Sequence, residues 1–211
     1  SCEVYNVGGN GIRIGVDKEV RRANIFTDSQ VSNCKIHAFE ELDRIYNPGL
    51  SLQGLGSRAL NNEIYDAPHL GMSYVGTNIE IAYNIFEDLC YDSSDAGALY
   101  IYDATITSGG TKIHDNIVRN IINDENIYFN PHGIYLDAGS GGMQVYSNIL
   151  ENVDGFGILS GGPYGPHLHD LYVMDEPQGV SHFLGAIDIA HFIEPAAFKS
   201  ALSAMSREIK A

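Results

Sequence analysis

The chain has 211 residues, of which 44% are hydrophobic and only 18% charged, a composition that fits a folded domain and excludes a disordered one. Its formal net charge of −15 argues against nucleic acid as a partner, because phosphate binding needs a basic face. No apolar run of membrane-spanning length is present, so no membrane partner is expected. The opening Ser1-Cys2-Glu3 lacks the basic-then-apolar order of a signal peptide.

Near the N-terminus, Val7-Gly8-Gly9-Asn10-Gly11-Ile12 puts glycines at the first two places of a dinucleotide fingerprint. Ile14 stands at the third, so no nucleotide cofactor is expected. The three cysteines, Cys2, Cys34 and Cys90, are too few and too odd in number for a disulfide framework and read as small buried hydrophobes.

From here the chain repeats. Asn62-Glu63-Ile64, Asn84-Ile85-Phe86, Asn116-Ile117-Val118 and Asn148-Ile149-Leu150 share one pattern, and Cys34-Lys35-Ile36 takes the same place earlier. The steps are 28, 22, 32 and 32 residues, a basic coil of 22 with variable loops. A second ladder accompanies it: Gly71-Met72-Ser73-Tyr74, Ala98-Leu99-Tyr100-Ile101, Gly133-Ile134-Tyr135-Leu136 and Gly157-Ile158-Leu159. Short apolar runs with Gly, Asn, Asp or Ser at their corners predict strands. At such a corner Asn tolerates left-handed backbone, and its amide can bond to the same amide one coil away. The prediction for residues 1–158 is an all-β, right-handed parallel β-helix.

After Leu159 the pattern stops. Residues 159–211 are expected to form a small appendage of loop, strand and helix. The strand lies within Ser181–Ile189, and a helix begins at Pro195. Phe198, Leu202, Met205 and Ile209 line one helical face, with Arg207 and Lys210 in the last turn. His167-Leu168-His169-Asp170 is a weak metal pattern, and neither metal nor other cofactor is expected. The strings Ile158-Leu159-Ser160-Gly161-Gly162-Pro163-Tyr164-Gly165-Pro166-His167 and Gly185-Ala186-Ile187-Asp188 resemble the C-terminal end of the malate/L-lactate dehydrogenase family. Nothing matches that family's catalytic or cofactor-binding parts, so no dehydrogenase activity is inferred.

Two strings in the β-helical part carry chemistry: Asp92-Ser93-Ser94-Asp95-Ala96-Gly97-Ala98-Leu99-Tyr100 and His132-Gly133-Ile134-Tyr135-Leu136-Asp137-Ala138-Gly139. With Asn62-Glu63-Ile64-Tyr65-Asp66-Ala67-Pro68-His69 upstream, they resemble β-helical glycoside hydrolases, family 141 in particular, over residues 30–157. The resemblance implies Asp95 and Asp137 as catalytic carboxylates. It also implies a polysaccharide or oligosaccharide substrate of the α-L-fucoside or xylan type, and a secreted or periplasmic location.

The chemistry requires two carboxyl groups about 5 Å apart for retention, or roughly 6.5–9.5 Å for inversion. Aligning Leu99 with Ile134 complicates the pairing. Tyr102 then falls opposite Asp137 with Asp103 next to it, while Asp95 falls near the other end of the strand with His69 and His132. On spacing alone, Asp103 and Asp137 are the closer pair, and Asp95 lies roughly 10–20 Å away. Asp103 is therefore held in reserve, with His69, His132, Tyr100 and Tyr135 as substrate-binding or structural candidates. Two other functions remain open: a polysaccharide lyase, for which only Lys112 and Arg119 lie between Ala96 and Asp137, and a glycan-binding fragment without activity.

Overall fold

The computed structural model describes residues 1–15, 26–102, 109–123, 129–137 and 142–160, together with the strand backbones at 167–169, 172–174, 180–182 and 188–189. Strands are numbered in chain order, and every third strand belongs to the same sheet. The first sheet holds β1 (Glu3–Tyr5), β4 (Lys35–His37), β7 (Glu63–Ala67), β10 (Ile85–Leu89), β13 (Ile117–Ile121), β16 (Ile149–Val153) and β19 (Tyr172–Met174). The second holds β2 (Ile12–Ile14), β5 (Leu50–Leu55), β8 (Met72–Thr77), β11 (Gly97–Ile101), β14 (His132–Leu136), β17 (Ile158–Ser160) and β20 (Val180–His182). The third holds β3 (Gln30–Ser32), β6 (Arg58–Leu60), β9 (Glu80–Ala82), β12 (Lys112–His114), β15 (Gln144–Tyr146), β18 (His167–His169) and β21 (Asp188–Ile189).

Neighbouring strands in each sheet are parallel, and each coil visits the three sheets in turn. The architecture is a right-handed parallel β-helix, the hand that parallel crossovers take with twisted strands. Alternate residues point inward and stack on their equivalents. Ile36, Ile64, Phe86, Val118 and Leu150 form one such file in the first sheet, and all are buried. Val31, Ala59, Ile81, Ile113 and Val145 form the file facing them from the third sheet. At roughly 25 cal/mol per Å² of apolar area, these continuous files are the main stabilising contribution.

The asparagine ladder lies at the corner between the third and first sheets. Asn62, Asn84, Asn116 and Asn148 are buried. Each amide Nδ2 donates to the next Oδ1, at 2.9, 3.0 and 2.9 Å. Each Oδ1 also accepts the backbone N–H of the ladder residue one coil before, from Cys34 N–H at 3.1 Å onward. The left-handed backbone expected of these asparagines falls instead on the residue before each one: Asn33, Asn61, Tyr83, Asp115 and Ser147 have φ between 52° and 59°. The ladder residues themselves turn inward, because a buried amide has to spend all its donors and acceptors on partners.

At the corner between the first and second sheets, backbone meets backbone. A Cβ on Gly71 would lie 2.5 Å from Leu89 Cδ1, and one on Gly133 2.6 Å from the Gly157 carbonyl oxygen. This close approach is the reason for the small residues at the start of each second-sheet strand.

Beyond residue 158, strands β18 to β21 pair in register with the preceding coil and extend all three sheets. Where one strand is expected over Ser181–Ile189, β20 and β21 belong to two different sheets, because the coil turns a corner between them. The helical stripe from Phe198 to Ile209 lies outside the described residues.

Candidate active site on the second sheet

Tyr100 on β11 and Tyr135 on β14 are register partners on the outer face of the second sheet, with ring centroids 5.2 Å apart at 74°. Asp137 follows β14 by one residue. It therefore faces the same side as Tyr135, two positions earlier. The Tyr100 hydroxyl donates to Asp137 Oδ2 at 2.9 Å, and the Tyr135 hydroxyl donates to Asp95 Oδ1 at 3.3 Å.

The Tyr135 phenol pKa is raised. Burial is the largest cause of that rise, followed by the charges of Asp137 and Asp95. Tyr100 is raised as well, by burial first and then by Asp137. Both tyrosines thus stay protonated and act as donors toward the carboxyl groups.

Asp95 sits before β11 and Asp137 after β14, at opposite ends of the paired strands. The contacting tyrosines link them, Tyr135 holding Asp95 and Tyr100 holding Asp137. Asp103 lies outside the described residues.

The turn that carries Asp95 is locally anchored. Asp92 N–H and the Ser93 hydroxyl both donate to the Pro68 carbonyl, and Asn123 Nδ2 donates to the Ser93 carbonyl at 2.6 Å. Asp95 itself has φ 51° and is exposed, whereas Asp137 is half-buried. Asp tolerates left-handed backbone better than most residues, so the turn can hold this carboxyl at the surface.

His69 and His132 occupy the same corner, on different coils, and both are buried. His69 Nδ1 accepts the Tyr46 backbone N–H at 3.4 Å, and His132 Nδ1 accepts that of Phe156 at 3.0 Å. Burial pushes both imidazoles down to about 4. They are neutral braces of neighbouring backbone, although the His132 ring also lies edge-on to Tyr135 at 5.0 Å.

Sequence reading missed the loop at 40–47, whose Arg44 grips Asp92 Oδ2 through Nη2 at 2.6 Å and Nε at 3.0 Å. No local motif marks this contact, which joins residues 48 positions apart. Lys112 lies on the third sheet, and Arg119 lies on the first, paired with Glu87 at 2.8 Å. Neither sheet carries the tyrosine pair. Among the described residues, no group of three or more His, Cys, Asp or Glu is placed to hold a metal ion.

Among solved structures, a protein titled "Glycoside hydrolase" matches with a TM-score of 0.54 at 15% identity, covering 95% of this chain and 33% of that one. This chain thus spans about a third of that protein's length, and at such identity the likeness is one of fold. No family model matches the sequence, and no curated protein does.

Proposed function

We propose that this β-helix is part of a glycoside hydrolase that cleaves a neutral polysaccharide, with Asp95 as general acid and Asp137 as nucleophile or base. The observation that carries the reading is the pair of contacting tyrosines whose hydroxyls donate one to Asp137 and the other to Asp95. A hydroxyl has one proton to donate. Tyr135 spends its proton on Asp95 and Tyr100 spends its own on Asp137, which leaves Asp95, the more exposed carboxyl, open toward a substrate as the acid. One protonated and one ionised carboxyl are what acid-assisted glycoside cleavage requires.

In the proposed reaction the Asp95 proton moves to the glycosidic oxygen as its bond to the anomeric carbon breaks. Asp137 either attacks that carbon, giving a covalent intermediate that water then hydrolyses, or takes a proton from the attacking water. A neutral chain is favoured because the site holds Asp92, Asp95 and Asp137, and the chain as a whole carries a net charge of −15. The likeness to a structure titled a glycoside hydrolase supports the class. The strings resembling family 141 favour an α-L-fucoside or xylan-type substrate and a location outside the cytoplasm.

The test is release of reducing ends from xylan, xyloglucan and mannan by the wild type, Asp95→Asn and Asp137→Asn proteins. The expected outcome is cleavage by the wild type alone, with the anomer of the first product, read by NMR, separating nucleophile from base. No cleavage of any of the three, or equal cleavage by both variants, overturns the reading. Unsaturated, ultraviolet-absorbing products would identify a lyase.

A further inference from the structure

The loop at 40–47 leaves the first sheet after β4 and rejoins the second at β5, one corner of the same edge that carries Asp95. Its exposed side chains include Leu42, Ile45 and Tyr46, the last 60% exposed. An aromatic left in water is unremarkable alone. Tyr46, however, also has φ 56°, a left-handed conformation that is unfavourable for a bulky side chain.

Several contacts hold that conformation in place. The Tyr46 backbone N–H donates to His69 Nδ1, and its ring stands on the His69 ring at 4.9 Å and 63°. The next residue, Asn47, donates its N–H to Glu40 Oε1 at 2.8 Å, and its amide closes the loop onto the Asp43 and Ile45 carbonyls. Glu40 is wholly buried, and burial pushes its carboxyl up to about 8, so the loop rests on an acid that is largely neutral at ordinary pH. Arg44 then ties the loop forward to Asp92, three residues before Asp95. A strained aromatic that is braced from below and left open above has been positioned.

What it is positioned against follows from the register. The outer row carrying Tyr135 and Tyr100 continues back through Ser73 and Ser51, toward the coil that bears this loop. Successive members lie about 4.8 Å apart, close to the length of one sugar unit.

We propose that the 40–47 loop forms a sugar-binding subsite beside the cleavage site, with the open face of Tyr46 as stacking platform. The occupant is a neutral glycosyl unit of the chain being cut. The proposal takes its ligand class from the hydrolase reading, but its geometry is independent of it. The stacked unit presents its axial C–H face to the phenol ring and its hydroxyls to the edge.

The chain contains no tryptophan, so Tyr46→Trp creates a reporter with a silent background. Titrating it with xylohexaose, mannohexaose or cellohexaose should give a saturable blue shift of emission with at least one of them, and none with hexagalacturonate. No shift with any neutral hexaose, or a shift with the anionic one alone, overturns the proposal. Placing Asp137→Asn in the same protein separates the two readings. A shift that persists in a protein that cleaves nothing leaves the subsite standing without the hydrolase. Cleavage by the wild type with a silent reporter removes the subsite alone. As a second check, Tyr46→Ala should weaken retention in xylan-containing native gels at least about tenfold, while Tyr46→Phe stays within about threefold.

Discussion

Tyr100 donates to Asp137 at 2.9 Å although 37 residues separate them in the chain. The contact exists because β11 and β14 are neighbours and Asp137 stands two positions beyond the register partner of Tyr100. Tyr135 meets the Tyr100 ring at 5.2 Å and donates to Asp95. Two rings in contact, each holding one carboxyl, act as a unit. Tyr100→Phe and Tyr135→Phe should each lower kcat on the cleaved polysaccharide by about 10- to 100-fold. The double variant should fall short of the product of the two, which a double-mutant cycle measures. Strict additivity would place the tyrosines in separate roles.

The asparagine ladder sets a different expectation. Asn84 donates to the Ala59 carbonyl and to Asn116, and accepts from both the backbone and the amide of Asn62. Asn84→Ala leaves these buried groups without partners and should cost about 2–4 kcal/mol in urea unfolding. Asn152→Gly removes an exposed amide bond to Asn120 while keeping the left-handed backbone at φ 55° unstrained, and should cost less than about 1 kcal/mol.

Stability should pass through a maximum near pH 6.5. His69 and His132 are held down to about 4 in the fold, so between pH 4 and their ordinary value near 6.5 the unfolded chain binds more protons. Stability therefore rises with pH across that window, by up to about 3 kcal/mol per histidine. Glu40 runs the other way. Its folded carboxyl sits at about 8, so from its ordinary range near 4.5 up to pH 8 the folded chain binds the extra proton and stability falls. Melting temperature against pH should show both limbs, and Glu40→Gln should flatten the alkaline one. A wild-type profile rising steadily from pH 4 to 8 would contradict it.

The expectation that the cysteines are buried holds for Cys34 and Cys90 but not for Cys2, which is exposed. Cys2 and Cys34 precede register partners Glu3 and Lys35, and their sulfurs lie 2.9 Å apart. Backbone spacing of about 4.8 Å between parallel neighbours falls inside the range a disulfide spans. Oxidised glutathione should join them, with each sulfur losing its hydrogen and two molecules of reduced glutathione leaving. Alkylation and mass analysis should then find Cys90 as the one free thiol. The bond should raise stability by about 3 kcal/mol. Three free thiols after prolonged oxidation would refute the pairing.

The solenoid was legible because a β-helix is built from what is local and periodic. Each Asn-x-apolar string at steps of 22 to 32 residues reports one coil, and each glycine or alanine before a second-sheet strand reports one tight corner. Neither requires knowledge of any other part of the chain. The left-handed residue at the ladder corner was displaced by one position, because backbone strain and amide pairing occupy adjacent residues and sequence spacing does not tell them apart.

The candidate site was legible as a set of residue types but not as a geometry. Asp95, Asp137, Tyr100 and Tyr135 stand out in two strings, yet backbone distance placed the carboxylates at opposite ends of a strand. Only the tertiary structure links each to a different member of one tyrosine pair, since side-chain reach and lean are decided by packing against neighbouring coils. Glu40, Arg44 and Tyr46 were invisible for a related reason: their roles depend on His69, Asn47 and Asp92, which come together only once three coils have stacked. Repetition along the chain determined the scaffold, and contact between coils decided what the scaffold holds.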